Sequence, residues 1–458
     1  MRYVSSRGAA PELGFADVLL AGLATDGGLY LPAAWPALDV PDGATTYAEI
    51  ATAVMAPFVA PDLSRDELAA MVDDAYATFD HPDVAPLREL ADGTWLLELF
   101  HGPTLAFKDV ALQLVGRLFD HELRRRGERV TVVGATSGDT GSAAIAALAG
   151  RDAVDVVILH PAGRVSEVQR RQMTTVLADN VRNVAVDGTF DDCQDLVKAM
   201  FADAPFREGQ RLAAVNSINW ARVMAQVVYY VTAQRALGGP VSFCVPTGNF
   251  GNVFAGYGAM RMGLPVRRFV VGSNRNDILT RFFTTGSMTI DEVVPTLSPS
   301  MDIQVSSNLE RLLFELNGRD GEALATLMAR FRAEGTISFP PELLARVSES
   351  FTGASIDDER TSATIRLVHE RDGILVDPHT AVGLAAAHAV GADGLPQVVL
   401  ATAHPAKFPD AVEAATGVRP PLPEHLADLF EREERCDALA NDLEAVERYV
   451  ERFTARHG

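Results

Sequence analysis

The 458-residue chain has few cysteines and no long hydrophobic run, and these two absences exclude several classes of protein. Its cysteines, Cys193, Cys244 and Cys436, lie far apart and without metal-type spacing, so neither a disulfide framework nor a zinc site is indicated. The apolar stretch Val18–Ala24 is too short to cross a bilayer and lacks the cleavage pattern of a signal peptide. We therefore expect a cytoplasmic protein in a reducing compartment.

Positive charge is also scarce. Lysine and arginine together number 40 against 61 acidic residues, which gives a formal net charge of −21. Such a chain repels nucleic-acid phosphates and anionic membrane surfaces, so we expect neither as a partner. An anionic substrate must then be held by a local device, such as a helix N-terminus, a nest of backbone amides or a placed arginine.

Lysine is much rarer than arginine. Of the 40 lysine and arginine residues, only three are lysines, namely Lys108, Lys198 and Lys407. A lysine amine can lose its proton and form a Schiff base, which arginine cannot do. Lys198 lies in an amphipathic pattern and is predicted to face solvent. Lys407 lies in a proline-bracketed turn after a predicted strand. Lys108 stands among apolar residues at a predicted helix start, where desolvation favours a base or a nucleophile.

The order of apolar segments predicts an α/β protein with doubly wound, mostly parallel sheets. Residues 1–92 are expected to form an N-terminal lobe, and residues 93–420 a catalytic core of two α/β subdomains with a helical insertion at about 291–356. Residues 421–458 are expected to form a C-terminal helical tail. Strands of the core are predicted at 129–134, 154–159, 181–186, 241–245, 268–271 and 397–401.

Two glycine-containing loops follow predicted strands, where a parallel sheet places its ligands. One spans Gly134–Ser142 and the other Pro246–Asn252, and each leads into a predicted helix. Neither carries the GxGxxG or GxxxxGK[ST] signature, so dinucleotide and P-loop functions are not indicated. Both loops can present converging amides to an anion, although a simple strand-to-helix turn explains either one alone.

A Schiff-base lysine together with a phosphate cradle is what pyridoxal phosphate requires. Lys108 supplies the first, and the two loops are candidates for the second. Thr402, at the end of a predicted strand, can offer a neutral hydroxyl to the cofactor's ring nitrogen, and we prefer Lys108 to Lys407 as the reactive lysine. Arg275 and Arg281, which follow another strand, are candidates for binding an anionic group of the substrate.

Five motifs together resemble one family, the threonine synthases, within the pyridoxal-phosphate enzymes of the tryptophan-synthase-β fold (fold type II). They read HGPTLAFKD (101–109), GATSGDTGSAA (134–144), PTGNFGN (246–252), DPHTAVG (377–383) and TAHPAKF (402–408). The N-terminal lobe resembles the opening of the longer bacterial and fungal branch, which also implies a monomer or weak homo-oligomer.

The resemblance implies conversion of O-phospho-L-homoserine and water to L-threonine and phosphate. It assigns Lys108 as the Schiff-base lysine and base, and Thr402 as the ring-nitrogen partner. The cofactor-phosphate loop it implies consists of Gly248, Asn249, Phe250, Gly251 and Asn252. The residues implied to hold the substrate carboxylate and the cofactor face are Thr136, Ser137, Asp139 and Thr140. Many relatives of the fold carry Asn where this chain has Asp139, and aspartate there matches the longer branch.

Two alternatives remain open at this point. The first is a pyridoxal-phosphate lyase that eliminates phosphate or water and releases a 2-oxo acid. The second is a non-catalytic, cofactor-binding protein that kept the fold, against which the intact Lys108 and both loops argue. Product identity separates all three.

Overall fold

The computed structural model describes residues 1–214 and 216–457. Its strands are β1 (Tyr3–Ser5), β2 (Tyr30–Pro32), β3 (Leu87–Glu89), β4 (Trp95–Glu98), β5 (Val130–Ala135), β6 (Val154–Pro161), β7 (Val181–Asp187), β8 (Leu212–Ala213), β9 (Val241–Pro246), β10 (Val266–Ser273), β11 (Ser287–Thr289), β12 (Thr336–Ser338), β13 (Phe351–Ser355), β14 (Gln397–Ala401) and β15 (Asp437–Ala440). Every strand predicted from the sequence is present, with ends within two residues of the prediction.

The α-helices follow in chain order. They are α1 (Phe15–Ala21), α2 (Tyr47–Val59), α3 (Arg65–Tyr76), α4 (Lys108–Arg126), α5 (Asp139–Leu148), α6 (Glu167–Thr174), α7 (Phe190–Ala202), α8 (Ala204–Gly209), α9 (Trp220–Leu237), α10 (Gly251–Arg261), α11 (Ile278–Thr285), α12 (Leu309–Leu316), α13 (Gly321–Glu334), α14 (Pro341–Ser348), α15 (Asp358–Asp372), α16 (Pro378–Val390), α17 (Pro409–Thr416) and α18 (Leu443–Thr454). Within the described ranges, none of them is long and apolar enough to cross a membrane.

The chain divides into two compact units. The first consists of Met1–Val18, Gly22–Phe107 and Ser217–Pro420. Its main sheet has six strands in the order β13-β10-β9-β14-β4-β3, parallel except for the antiparallel pair β3-β4. Helix α16 packs against β9, β10 and β14 and closes an apolar core that includes Val270, Val382 and Val399. The sheet is thus the mostly parallel type that the sequence predicts.

The second unit consists of Leu19–Ala21, Lys108–Asn216 and the chain from Pro421 onward. Its five strands are all parallel, in the order β15-β7-β6-β5-β8. Strand β6 is buried at every position, as expected for the centre of a parallel sheet covered on both faces. Helices α7 and α18 contribute Cys193, Val446 and Val450 to the core beneath β5, β6 and β7.

The C-terminal segment, expected at 421–458 to be a helical tail, is helical over only part of its length. Residues Asp437–Ala440 instead form β15, which pairs in parallel with β7. Within β15 the partly buried Leu439 packs against the core of the second unit. An edge strand buries one such residue and satisfies its backbone on one side, and charge periodicity does not reveal this.

The segment expected as a helical insertion at 291–356 contains α12, α13 and α14. It also contains β12, which pairs with β11, and β13, an edge strand parallel to β10 in the six-stranded sheet. Residues Phe351–Ser355, near the end of the segment, therefore belong to the sheet rather than to an insertion. Strand β13 is only partly buried, and this leaves a weak apolar signal in the sequence.

Candidate active site

Lys108 is the first residue of α4, and its amine pairs with Asp139, the first residue of α5. The distance from Lys108 Nζ to Asp139 Oδ2 is 2.8 Å, and the two side chains are 10% and 5% exposed. Gln169 Nε2 donates to the other carboxylate oxygen, Oδ1, at 2.7 Å. The lysine predicted to be reactive is therefore buried, and its amine is oriented by a charge-assisted hydrogen bond.

The turn between β5 and α5 is organised by Thr136. Its Oγ1 accepts hydrogen bonds from the N–H groups of Gly138 at 3.0 Å and Gly141 at 2.9 Å. Gly138 has a φ of +142°, and a Cβ there would lie 2.4 Å from Gln169 Cδ. A glycine is thus required both by the backbone conformation and by the side chain that binds Asp139.

Ser137 and Thr140 lie on the same turn. Ser137 is exposed, and Thr140 is partly exposed at the start of α5. Among the described residues, no hydrogen bond engages either hydroxyl. Both can therefore donate to a ligand carboxylate at the positive end of α5, as the resemblance implies.

The loop between β9 and α10 is held by hydrogen bonds among its own side chains. Phe250 has a left-handed backbone with a φ of +61° and is fully buried. Thr247 Oγ1 accepts from the Phe250 N–H at 3.2 Å and donates to Asn252 Oδ1 at 2.7 Å. This conformation turns successive peptide groups in the loop and builds a concave backbone of the kind that binds anions.

The carbonyls of this loop are bound from outside. Ser306 Oγ donates to the Gly248 carbonyl at 2.6 Å, and Asn308 donates to the Asn249 carbonyl through its N–H at 3.1 Å and its Nδ2 at 3.0 Å. In the described part of the chain, no hydrogen bond uses the N–H of Gly248, Asn249, Gly251 or Asn252. Four donors that face no acceptor at a helix start fit a phosphate group.

Thr402 follows β14 directly and is 5% exposed. Its carbonyl accepts from the Phe107 N–H at 2.9 Å, and Ala403 forms a bridge with Ala106. No hydrogen bond among the described residues engages its hydroxyl. The residue predicted to meet the cofactor's ring nitrogen thus has a buried hydroxyl that a ligand can use, beside the segment that leads into Lys108.

The other two lysines have structural partners. Lys407 is fully buried and donates from Nζ to the Thr104 carbonyl at 2.6 Å. Lys198 is 70% exposed and pairs with Asp195 at 2.8 Å, which confirms the predicted solvent-facing position. The preference for Lys108 over both is consistent with these contacts.

The two arginines predicted to bind a substrate phosphate differ in their surroundings. Arg281 pairs with Asp277 at 3.0 Å and with Asp291 at 2.9 Å, so two carboxylates already neutralise its charge. Arg275 is exposed, and no ion pair or hydrogen bond of its side chain occurs among the described residues. Neither arginine is therefore a buried cation without a counter-charge.

Arg222 is such a cation, and the sequence analysis missed it. It lies in the first turn of α9 and is 4% exposed, and its Nε and Nη1 have no hydrogen-bond partner among the described residues. Burial lowers its pKa to about 10. A buried guanidinium with two unpartnered nitrogen atoms is a candidate for binding an anionic ligand. The available signal was an arginine at a helix N-terminus, where the helix dipole disfavours it.

Three family models match the chain. The threonine synthase N terminus model covers residues 2–76, the pyridoxal-phosphate dependent enzyme model covers 83–403, and the threonine synthase C-terminal model covers 380–450. Together they span most of the sequence, and the second alone covers more than half of it.

Characterised relatives agree with these models. A threonine synthase from Pseudomonas aeruginosa is 55% identical over 100% of this chain and 99% of its own length. The structure of a pyridoxal-phosphate-bound threonine synthase from Brucella melitensis is 51% identical, with a TM-score of 0.97 and 99% of each chain covered. A yeast threonine synthase structure is 38% identical, with a TM-score of 0.94 over 99% of both chains.

Proposed function

The chain belongs to the threonine synthase family, and we propose that it converts O-phospho-L-homoserine and water to L-threonine and phosphate. It is a pyridoxal-phosphate-dependent lyase of fold type II. The observation that carries the proposal is the full-length match at 55% identity. When bound, the cofactor supplies an electron sink for the negative charge that develops at the substrate Cα.

Lys108 is the residue that we propose both to bind the cofactor aldehyde covalently and to move the proton at Cα. Its Nζ is buried, and Asp139 and Gln169 support its position through the hydrogen bonds at 2.8 Å and 2.7 Å. A proton-transferring amine must be held within hydrogen-bond reach of the reacting atom. Asp139 therefore acts as an acceptor that orients the amine before it reacts.

We propose that residues 248–252 bind the cofactor phosphate and that the Thr402 hydroxyl forms a hydrogen bond with the cofactor's ring nitrogen. Four loop N–H groups have no acceptor among the described residues, which supports the first assignment. The Thr402 hydroxyl has no hydrogen-bond partner among those residues either, which supports the second. A neutral hydroxyl keeps the ring nitrogen less protonated than a carboxylate does, which moderates the electron sink.

We assign the substrate carboxylate to the Thr136–Thr140 turn, where the Ser137 and Thr140 hydroxyls are open. For the substrate phosphate, Arg222 is supported best because it is buried and two of its nitrogen atoms lack partners within residues 1–214 and 216–457. Arg275 and Arg281 remain candidates. The cytoplasmic location and the monomeric or weakly associated state also remain predictions.

One assay tests the proposed reaction. O-phospho-L-homoserine is added to the purified holoenzyme, and phosphate, L-threonine and 2-oxobutyrate are followed together. Equal amounts of threonine and phosphate are expected. Phosphate with 2-oxobutyrate indicates the 2-oxo-acid lyase, and no product despite bound cofactor indicates the non-catalytic alternative.

The control for this assay is a pair of lysine variants. Lys108→Ala is expected to abolish both turnover and the visible absorbance of the bound cofactor. Lys198→Ala, which removes an exposed amine, is expected to leave both unchanged. Retained absorbance or turnover in Lys108→Ala contradicts the assignment of the reactive lysine.

A further inference from the structure

Arg311, in α12, is a fully buried cation that forms no ion pair among the described residues. Its Nε and Nη2 donate to the Tyr30 carbonyl at 3.0 and 2.8 Å, and Nη2 also donates to the Ile218 carbonyl at 2.6 Å. Its Nη1 donates to Asn308 Oδ1. All of its acceptors are neutral, so its charge is not cancelled by a bound carboxylate. Burial lowers its pKa to about 9, which leaves it a cation at neutral pH.

Asn308 connects Arg311 to the loop of residues 248–252. Its Nδ2 donates to the Asn249 carbonyl at 3.0 Å and to the Ser217 carbonyl at 3.1 Å. An asparagine amide can rotate by half a turn and exchange its oxygen and nitrogen unless a partner distinguishes them. Arg311 can only donate, so its contact requires Oδ1 on its own side and directs Nδ2 toward the loop.

The N-terminal segment holds the guanidinium in place. The Tyr30 carbonyl belongs to β2, which pairs with β1 at the start of the chain. Two of the guanidinium nitrogens bind this single oxygen, which sets the plane of the group. A series of hydrogen bonds thus runs from β2 through Arg311 and Asn308 to Asn249.

We propose that Arg311 is a positioning residue for the cofactor phosphate, which it serves by orienting the Asn308 amide that holds the Asn249 carbonyl. With that carbonyl held, the neighbouring N–H groups stay available to the phosphate oxygens. The inference rests on the proposed function of residues 248–252 as the phosphate loop. If the proposal holds, the affinity for the cofactor phosphate depends on β2, which is linked to the loop only indirectly in this series, through Arg311 and Asn308.

The test compares dissociation constants for pyridoxal phosphate and for pyridoxal, which lacks the phosphate. Full-length protein freed of cofactor is titrated with each compound, and binding is followed by visible absorbance. Arg311→Gln is expected to reduce the preference for pyridoxal phosphate at least tenfold and to change pyridoxal binding little. Asn308→Asp keeps the acceptor for Arg311 and the backbone N–H donor to Asn249 but removes the side-chain donor to Asn249. It is expected to do the same and serves if Arg311→Gln does not fold.

Arg319 provides the matched control. Its Nη2 donates to the Pro32 carbonyl at the end of β2 at 2.7 Å, and its Nε donates to Glu315 at 2.8 Å. It therefore joins the same strand to the same region of the chain, but none of its hydrogen bonds within the described ranges involves Asn308. Arg319→Gln is expected to leave the preference for pyridoxal phosphate unchanged.

Several outcomes overturn the inference. If Arg311→Gln weakens the binding of pyridoxal phosphate and of pyridoxal by the same factor, Arg311 has only a structural role. If Arg319→Gln reduces the preference for pyridoxal phosphate as much as Arg311→Gln does, any arginine bound to β2 has this effect and the path through Asn308 is not specific. Gly248→Val separates this inference from the proposed function, because its side chain would meet Ile303 and Met301 at 3.2 Å and disturb the loop directly. If Gly248→Val keeps the preference, the phosphate loop itself is wrongly assigned. If it loses the preference and Arg311→Gln does not, only the positioning role fails.

Discussion

Two lysine–carboxylate pairs in the second unit have the same geometry and opposite exposure. Lys108 and Asp139 are 2.8 Å apart with side chains 10% and 5% exposed. Lys198 and Asp195 are also 2.8 Å apart, but their side chains are 70% and 73% exposed. Replacing each aspartate by asparagine removes one negative charge from each pair with little change in shape. The comparison therefore measures the effect of burial together with that of the second donor to Asp139, Gln169.

Asp139→Asn is expected to lower the free energy of unfolding by about 3 kcal/mol, because removing one partner of a buried ion pair costs roughly 3–5 kcal/mol. The asparagine keeps one acceptor oxygen but turns an NH₂ group toward one of two donors, Lys108 or Gln169. That mismatch leaves a buried donor unsatisfied, which adds to the cost. Asp195→Asn is expected to change stability by less than about 1 kcal/mol, since water and ions screen an exposed pair.

The assay is urea unfolding of the full-length protein freed of cofactor, so that Lys108 carries a free amine. Circular dichroism and tryptophan fluorescence are followed together, and midpoints are compared at equal slopes. A salt titration adds a second readout, because only the exposed pair should weaken measurably at high ionic strength. Equal losses of stability in the two variants would refute the argument that burial makes the Lys108–Asp139 pair distinct.

Three further predictions concern single residues. Gly138→Ala is expected to destabilise the protein by about 1–3 kcal/mol in urea unfolding, because alanine is strained at this positive φ and its Cβ displaces Gln169. Gly150→Ala is the control and should cost less, because Gly150 also has a positive φ but a Cβ there meets no other atom within 4 Å. Arg222→Gln is expected to raise the KM for O-phospho-L-homoserine at least tenfold and to weaken inhibition by inorganic phosphate. The melting temperature should not fall, since an unpaired buried cation is itself destabilising. A larger increase of the KM in Arg281→Gln contradicts this prediction. Burial, with repulsion from His101, lowers the pKa of His404 to about 4. Protonation therefore favours the unfolded chain as pH falls from about 6.5 toward 4, and His404→Asn should remove up to about 3 kcal/mol of that loss in stability measured against pH; an unchanged pH profile contradicts it.

The sequence predicted six strands of the two main sheets, namely β5, β6, β7, β9, β10 and β14, because a strand in a parallel sheet is buried on both faces and reads as a short, continuous apolar run. It did not predict β3, β4 or β8. Strand β6, buried throughout, is the clearest case. Edge strands carry a weaker signal, since one side faces solvent. This is why β15 was taken for part of a helical tail and β13 for part of an insertion.

For the site, the sequence by itself determined the set of candidate residues, because a rare lysine and two glycine-containing loops are local features. Only the tertiary structure decided which of their groups are already engaged. It showed that two carboxylates neutralise Arg281 and that Arg311 and Asn308 join β2 to the loop at Asn249. It also showed that Arg222 is buried and that its Nε and Nη1 have no partner in the part of the chain that the structure describes. Hydrogen-bond partners hundreds of residues apart are set by packing, and no local pattern records them.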